Sequence, residues 1–230
     1  YRGPMSSFLF LKVMKIIHLF ILCLFLSCSN KDMNSFTFEL GDILFQDLDS
    51  SPLCDAIEKV TPGYNNYNFS HIGIVIEIGK NIMILEAIPD EVKVTKLDSF
   101  LNRSLDSNNQ PKVIVGRLKK EHKHSINDAI LFLKSKIGVE YDHHFLENNN
   151  QYYCSELIYE AFKDHNIFKI MPMTFKHPDT RETMSIWTEY YDKLNISVPE
   201  AKNGINPGLM SVSKNIEIVH EFGKPTVKQK

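Results

Sequence analysis

Alternating apolar and polar residues predict an antiparallel sheet in the first half of the chain. The clearest pattern lies within residues 70–87, where Ile72, Ile74 and Ile76 alternate with other residues until Gly79 interrupts the run. This period of two is typical of a β-hairpin. Three further strands and a short amphipathic segment follow from the same reasoning. The predicted strands are a short strand that follows a turn within residues 38–46, residues 92–94 and residues 113–118, and the amphipathic segment is around residues 97–101.

Apolar residues spaced three and four apart predict helices elsewhere in the chain. The first helix begins at Ser51 and Pro52, which are favoured at a cap and in a first turn. Gly138 follows the second helix, where a residue that adopts positive φ is favoured. The predicted helices are residues 52–60, 126–137, 154–162 and 184–194, and proline and glycine interrupt the tail after residue 196. Residues 38–230 contain no repeat and no dividing linker, which predicts a single α+β domain with helices packed on an antiparallel sheet.

The N-terminal residues have a different character from the rest. Residues 16–26 form an apolar run of 11 residues, which is too short to span a bilayer and ends in small and polar residues. We interpret residues 14–27 as a lipoprotein signal peptide, Cys28 as the lipidated residue, residues 28–37 as a tether and residues 1–13 as an upstream, non-native segment. These features predict export to the bacterial cell envelope and attachment to the membrane through an N-terminal lipid anchor.

Composition and charge indicate a folded protein that does not bind nucleic acid, and they bear on whether a metal site is expected. The 26 basic and 28 acidic side chains give a net charge of −2, so no nucleic-acid partner is expected, because phosphate binding needs an excess of positive charge. A content of 43% hydrophobic residues predicts a packed core. Asp142, His143 and His144 invite a metal site, but adjacent histidines in a polar loop are more often solvated. We predict no metal and no cofactor.

Cys154 is the strongest candidate for a nucleophile because it lies in the first turn of a predicted helix. The helix dipole and the unpaired N–H groups at such a position favour a thiolate and can hold an oxyanion. His71 is the best placed of the nine histidines, since it begins a predicted strand and Gly73 leaves room on the same face. A thiol and an imidazole within hydrogen-bond distance form the nucleophile and base of an acyl-transfer enzyme.

The register of the predicted hairpin selects a third residue. If Gly79 and Lys80 form a two-residue turn, Gly73 pairs with Glu86. Glu86 then lies diagonal to His71 on the same face, at roughly 7–8 Å between backbones. A shift of one residue would place the carboxylate among isoleucines, which is unfavourable. Glu86 is therefore predicted to orient His71 and to stabilise its charged form.

Five segments resemble the YiiX-like branch of the NlpC-type cysteine peptidases. They are residues 41–46, 70–75, 84–87, 138–145 and 152–157, and the likeness covers approximately residues 40–162. It implies a circularly permuted papain-like fold with Cys154 as nucleophile, His71 as base and Glu86 as the orienting residue. Glu140 departs from the family pattern, which often has proline there.

The resemblance also implies an activity. It predicts a cysteine-dependent hydrolase that cleaves amide bonds, with a cell-wall peptide or another small amide as the first expected substrate. The alternatives are an acyltransferase or esterase that acts on lipid acyl groups, and a binding lipoprotein with an idle triad. A narrow polar pocket beside Cys154 would favour the peptide, whereas a long apolar groove would favour an acyl chain.

Each assignment has a plain alternative. Cys154 could be a buried apolar residue, or it could form a disulfide with Cys54 in an oxidising compartment. His71 could serve structure alone, and Glu86 could be a solvated strand residue. Trp187, Tyr190 and Tyr191 are expected in the core or in the wall of the cleft. Further candidates for binding substrate or an oxyanion are Tyr153, Ser155, Asp42 and Gln46. Tyr153 could instead simply pack, Asp42 could cap a turn, and Gln46 could be an amide on an edge strand.

Overall fold

The structure of this protein is a computed structural model, which describes residues 36–61 and 63–227. The strands are β1 (Ile43–Gln46), β2 (His71–Ile78), β3 (Ile82–Ala87), β4 (Val92–Lys96), β5 (Val113–Leu118), β6 (Met171–Pro172), β7 (Asn203–Gly204) and β8 (Ile216–Glu221). The α-helices are α1 (Pro52–Val60), α2 (Leu97–Leu101), α3 (Ile126–Ser135), α4 (Cys154–Phe162), α5 (Ser185–Lys193) and α6 (Pro207–Ser211). The predicted signal peptide, the predicted lipidated Cys28 and most of the tether lie outside the described residues.

Six strands form one antiparallel sheet in the order β4-β3-β2-β1-β5-β8. The short strands β6 and β7 pair separately. Helix α4 packs against α3 and against strands β2 and β3. The predicted α+β architecture, an antiparallel sheet packed with helices, is confirmed. The helix that begins at Cys154 thus lies next to the strand that begins at His71.

The hairpin of β2 and β3 has the predicted register at its centre but reaches it differently. Ile74 pairs with Leu85, as predicted, yet Ile78 pairs with Ile82 because the turn contains three residues rather than two. A β-bulge between Val75 and Glu77 restores the register, since a bulge inserts one extra residue into one strand. The two deviations cancel, so the side chains beyond the bulge keep the faces predicted for them.

The interface between the hairpin and α4 is apolar and fully buried. Ile72, Ile74 and Leu85 from the hairpin and Leu157 and Ile158 from α4 have no exposed surface. Burial of a side chain of this size contributes about 1.5–3 kcal/mol. Packing therefore holds the first turn of α4 in place relative to the start of β2.

The other predicted details agree only in part. The short strand predicted after a turn within residues 38–46 is confirmed, since Gly41 adopts a φ of +83° in the turn and β1 begins at Ile43. Ser51 makes no capping hydrogen bond, and its hydroxyl lies 3.6 Å from the sulfur of Cys54 instead. The tail contains a strand that was not predicted, since apolar and polar residues alternate at Ile216–Glu221 and form the edge strand β8. Within residues 36–61 and 63–227, no helix is both long and apolar enough to cross a membrane.

Candidate active site

Cys154 is the first residue of α4, which the chain enters in an extended conformation at Tyr153. The N–H group of Leu157 donates to the carbonyl of Tyr153 at 3.0 Å and closes the first turn. The first N–H groups of a helix have no acceptor within it, so the positive end of the helix dipole lies at the thiol. Cys154 is 6% exposed, and neither it nor Cys54 is part of a disulfide.

His71 and Glu86 lie in direct contact behind the thiol. The Nε2 atom of His71 is 2.7 Å from Oε2 of Glu86. The side chain of Cys154 lies close enough to the same ring to raise the pKa of His71. His71 is 5% exposed and Glu86 is not exposed at all. The structure therefore brings together the three residues that sequence reasoning selected.

Further hydrogen bonds fill the remaining capacity of the Glu86 carboxylate. The hydroxyl of Thr95 donates to Oε1 at 2.5 Å. The guanidinium of Arg103 donates to both oxygens, each at 2.5 Å. With His71, each carboxylate oxygen accepts two hydrogen bonds, which is about the number that its lone pairs allow. Sequence reasoning missed Thr95 and Arg103.

Burial, hydrogen bonds and neighbouring charges move the pKa values of His71 and Glu86 apart. Burial alone would lower the pKa of His71, but hydrogen bonds and negative charge from Cys154 and Glu86 raise it to about 9. Burial alone would raise the pKa of Glu86, but hydrogen bonds and positive charge from His71 and Arg103 lower it to about 2. At neutral pH the imidazole is therefore protonated and the carboxylate is ionised.

Tyr153 and Ser155, which flank Cys154, both bind the backbone of Ile205. The N–H group of Ile205 donates to the hydroxyl of Tyr153 at 3.2 Å, and the hydroxyl of Ser155 donates to the carbonyl of Ile205 at 3.0 Å. Both side chains line the cavity in front of Cys154. Their hydroxyl groups are thus occupied in shaping the wall of this cavity.

Asp42 and Gln46 do not line the cavity. Asp42 accepts two hydrogen bonds from Arg117, at 2.7 and 2.8 Å, and one from the backbone of Glu39. Gln46 lies opposite His71 in the sheet and donates to the carbonyl of Phe100 at 2.8 Å. Both side chains are fully buried. Their contacts therefore stabilise the structure around the site, and neither side chain is placed to contact a substrate in the cavity.

A cavity of about 320 Å³ opens in front of Cys154. We call it the Cys154 cavity. It lies at the lower end of the 300–1,000 Å³ range of ligand pockets. Its lining is mainly apolar and includes Ile57, Phe145, Met173, Phe175, Trp187 and Leu209. Trp187 lies in the wall of the cavity, which is one of the two locations predicted for the aromatic cluster. Met173 comes from a part of the chain that the family motifs do not reach, so no motif pointed to it.

The loop after Glu140 is held by hydrogen bonds between side chains and its backbone. The carboxylate of Asp142 accepts hydrogen bonds from the N–H groups of His144 and Leu146, both at 2.8 Å. The hydroxyl of Tyr190 donates to the carbonyl of His143 at 2.9 Å. Among the described residues, no group of three or more His, Cys, Asp or Glu side chains is arranged to hold a metal ion.

The fold is similar to that of a solved structure, and the sequence matches the model of a known family. The fold resembles a crystal structure described as metalloprotein YiiX from Escherichia coli O157:H7, with a TM-score of 0.67 and 20% identity over 82% of this chain and 99% of that one. No curated protein sequence matches the chain. The strand order and the family comparison define a permuted papain-like protein.

The family itself is shown by the sequence. The profile of the permuted papain-like amidase enzymes, the YaeF/YiiX or C92 family, matches residues 37–220. The chain belongs to this family. The resemblance that the sequence motifs indicate, and the permuted papain-like fold that it implies, are therefore confirmed.

Proposed function

We propose that this protein is a cysteine-dependent hydrolase in which Cys154 attacks an amide or ester carbonyl. The observation that carries the proposal is the buried chain of contacts from Cys154 through His71 to Glu86 at the end of an open cavity. Membership of an amidase family supports the hydrolysis of an acyl bond. A nucleophile, a base and a group that orients the base are the parts that such a reaction requires.

The reaction follows from the charges of these groups. The Cys154 thiolate forms a bond to the carbonyl carbon, and the carbonyl oxygen becomes an oxyanion that the first N–H groups of α4 can hold. The protonated His71 gives its proton to the leaving amine or alcohol as the bond to the carbonyl carbon breaks. Water then attacks the thioester, His71 takes the proton of the water, and the acid leaves as the thiolate returns.

Glu86 supports both half-reactions through His71. Its carboxylate stays ionised at neutral pH because its pKa is lowered to about 2. It accepts a hydrogen bond from Nε2, which leaves Nδ1 of the ring for the thiol and the leaving group. A fixed negative charge next to the ring also stabilises the imidazolium.

The lining of the Cys154 cavity favours an apolar acyl group over a polar wall peptide. The side chains of Ile57, Phe175 and Leu209 offer no charge and no hydrogen bond to a peptide. Burying a methylene contributes about 0.8 kcal/mol, which corresponds to roughly a fourfold gain in kcat/KM. We therefore propose the amide or ester of an apolar acyl chain as substrate, in place of the cell-wall peptide that the family resemblance first suggests.

The acyl specificity is tested with p-nitrophenyl esters and p-nitroanilides that range from acetyl to decanoyl. We expect kcat/KM to rise by up to about fourfold for each methylene until the cavity is filled. Leu209→Trp should shorten the preferred chain, because the larger side chain fills part of the cavity. Leu131→Trp is the matched control, since Leu131 is 68% exposed on α3 and lies away from the cavity.

Two results would contradict this substrate class. One is a rate that does not depend on chain length, together with cleavage of soluble wall peptides. The other is a Leu209→Trp variant with the same chain-length profile as the Leu131→Trp control. A Cys154 thiol that is no more reactive toward iodoacetamide than Cys54 would instead favour a binding protein with an idle triad.

We also propose that the protein works at the cell envelope, held by lipid on Cys28. The apolar run at residues 16–26 that ends at a cysteine supports this location. In bacterial cells grown with an alkyne-bearing fatty acid, the full chain should take up the label and Cys28→Ala should not. Equal labelling of the two chains would overturn the anchor and leave the hydrolase proposal untouched.

A further inference from the structure

Arg103 clamps the carboxylate of Glu86 in the interior of the protein. Its two terminal nitrogens each lie 2.5 Å from a different oxygen of Glu86. The side chain of Arg103 is 27% exposed, whereas that of Glu86 is completely buried. Such a two-point contact fixes the plane of a carboxylate, which the single charge of a lysine cannot do. Arg103 does not line the Cys154 cavity and so does not contact substrate there.

The same short segment also supports the ring of His71. Phe100, in α2, is buried and its ring lies 5.6 Å from the ring of His71, centre to centre. The guanidinium of Arg103 lies 5.3 Å from the centre of the Phe100 ring. Gln46 holds the carbonyl of Phe100. Arg103 is thus fixed by α2 on one side and by Glu86 on the other.

We infer that Arg103 is a positioning residue that fixes which oxygen of Glu86 binds His71 and keeps that carboxylate charged. The inference rests on the proposed function, because it concerns the base of that reaction. A buried carboxylate with His71 as its only charged partner would tend to take up a proton, and a neutral carboxyl group would no longer stabilise the imidazolium. Arg103 prevents this by supplying a second positive charge and two donors.

The charged and titratable groups around this pair come from several elements. Arg103 follows α2, Cys154 lies on α4, and Lys93 of β4 stands opposite Glu86 in the sheet. Thr95 of β4 adds a neutral hydroxyl group. Because Arg103 is the cation in direct contact with both oxygens, its loss should raise the pH at which the pair becomes active.

The test is the rate at which iodoacetamide alkylates Cys154 between pH 4 and pH 9 in the full chain, read by mass spectrometry of the Cys154 peptide. Arg103→Gln should slow alkylation at pH 6 by about 10- to 100-fold, as is typical when a residue that orients a reactive group is lost. The midpoint of the acid limb should move upward by about one pH unit or more. Arg103→Lys should recover the midpoint in part but not the full rate, and Thr95→Val should have a smaller effect.

Arg117→Gln is the matched control. Arg117 makes the same two-point contact with a buried carboxylate, that of Asp42, at the opposite end of β1 from the residue paired with His71. A loss of stability alone would lower the melting temperature of either variant without moving the pH midpoint of Cys154. Cys54 in the same sample provides an internal reference for reagent and accessibility.

The outcomes separate the two proposals. If Cys154 of the unmodified protein reacts no faster than Cys54, or if His71→Ala leaves its rate unchanged, the proposed function fails. If Cys154 shows the fast, His71-dependent reaction but Arg103→Gln and Arg103→Lys keep both rate and midpoint, the role of Arg103 is overturned. Should Arg103→Gln not fold, the Arg103→Lys and Thr95→Val profiles decide the question.

Discussion

Replacing Cys154 by serine is expected to lower kcat for hydrolysis of the preferred p-nitrophenyl ester by about 10⁴- to 10⁶-fold, the range seen when a covalent nucleophile is lost. A serine hydroxyl is a far weaker nucleophile than a thiolate, and it lacks the negative charge with which Cys154 stabilises the protonated His71. The loss should appear in kcat with little change in KM, because the cavity that binds the acyl chain is unchanged.

Cys54→Ser is the control for the Cys154 variant. Cys54 lies on α1 beside the hydroxyl groups of Ser50 and Ser51, at 3.4 and 3.6 Å, and does not line the cavity. Its replacement should leave kcat and KM unchanged. Full activity of Cys154→Ser, or loss of activity in Cys54→Ser alone, would contradict the assignment of the nucleophile.

Glu86→Gln is expected to reduce kcat by about 10³- to 10⁴-fold, because a neutral amide neither stabilises the imidazolium nor fixes the orientation of the ring. It should also change how stability depends on pH. The pKa of Glu86 is about 2 in the folded protein and 4.5 in the reference state. A lowered pKa means that the ionised carboxylate stabilises the fold above pH 4.5 and that this contribution, up to about 3 kcal/mol, is lost as the pH falls toward 2.

Urea unfolding between pH 6 and pH 3 measures this contribution. The free energy of unfolding should fall more steeply with acid in the unmodified protein than in Glu86→Gln, and the two curves should converge at low pH. Glu77→Gln, an exposed position on the same hairpin, should follow the unmodified protein. Parallel curves for the unmodified protein and Glu86→Gln would show that Glu86 is not held as an ion in the fold.

The main residues of the candidate site could be predicted because they occupy regular elements. Cys154 begins a helix whose apolar period is clear, and the alternation in β2 places His71 at its start. The pairing of Glu86 with His71 depended on hairpin register, which burial of one face determines. The predicted turn was one residue too short, yet the bulge between Val75 and Glu77 corrects the error before it reaches Glu86.

The rest of the site depends on contacts that no local pattern encodes. Arg103 follows a five-residue helix, and its position over Glu86 arises from how that helix packs on β3 and β4. Asp42 was a reasonable candidate by residue type, but its partner Arg117 comes from 75 residues further along. The cavity wall at Met173 and Ile205 lies beyond the motifs that resemble the family.

The hydrogen bonds that Tyr153 and Ser155 form with the backbone of Ile205 have a consequence for biosynthesis. During translation the segment with Cys154 leaves the ribosome well before the segment with Ile205, so Cys154 is present for a time without its finished cavity. The proposed hydrolase would then be complete only as synthesis of the domain nears its end, so a partly made chain could not yet bind an acyl group in this cavity.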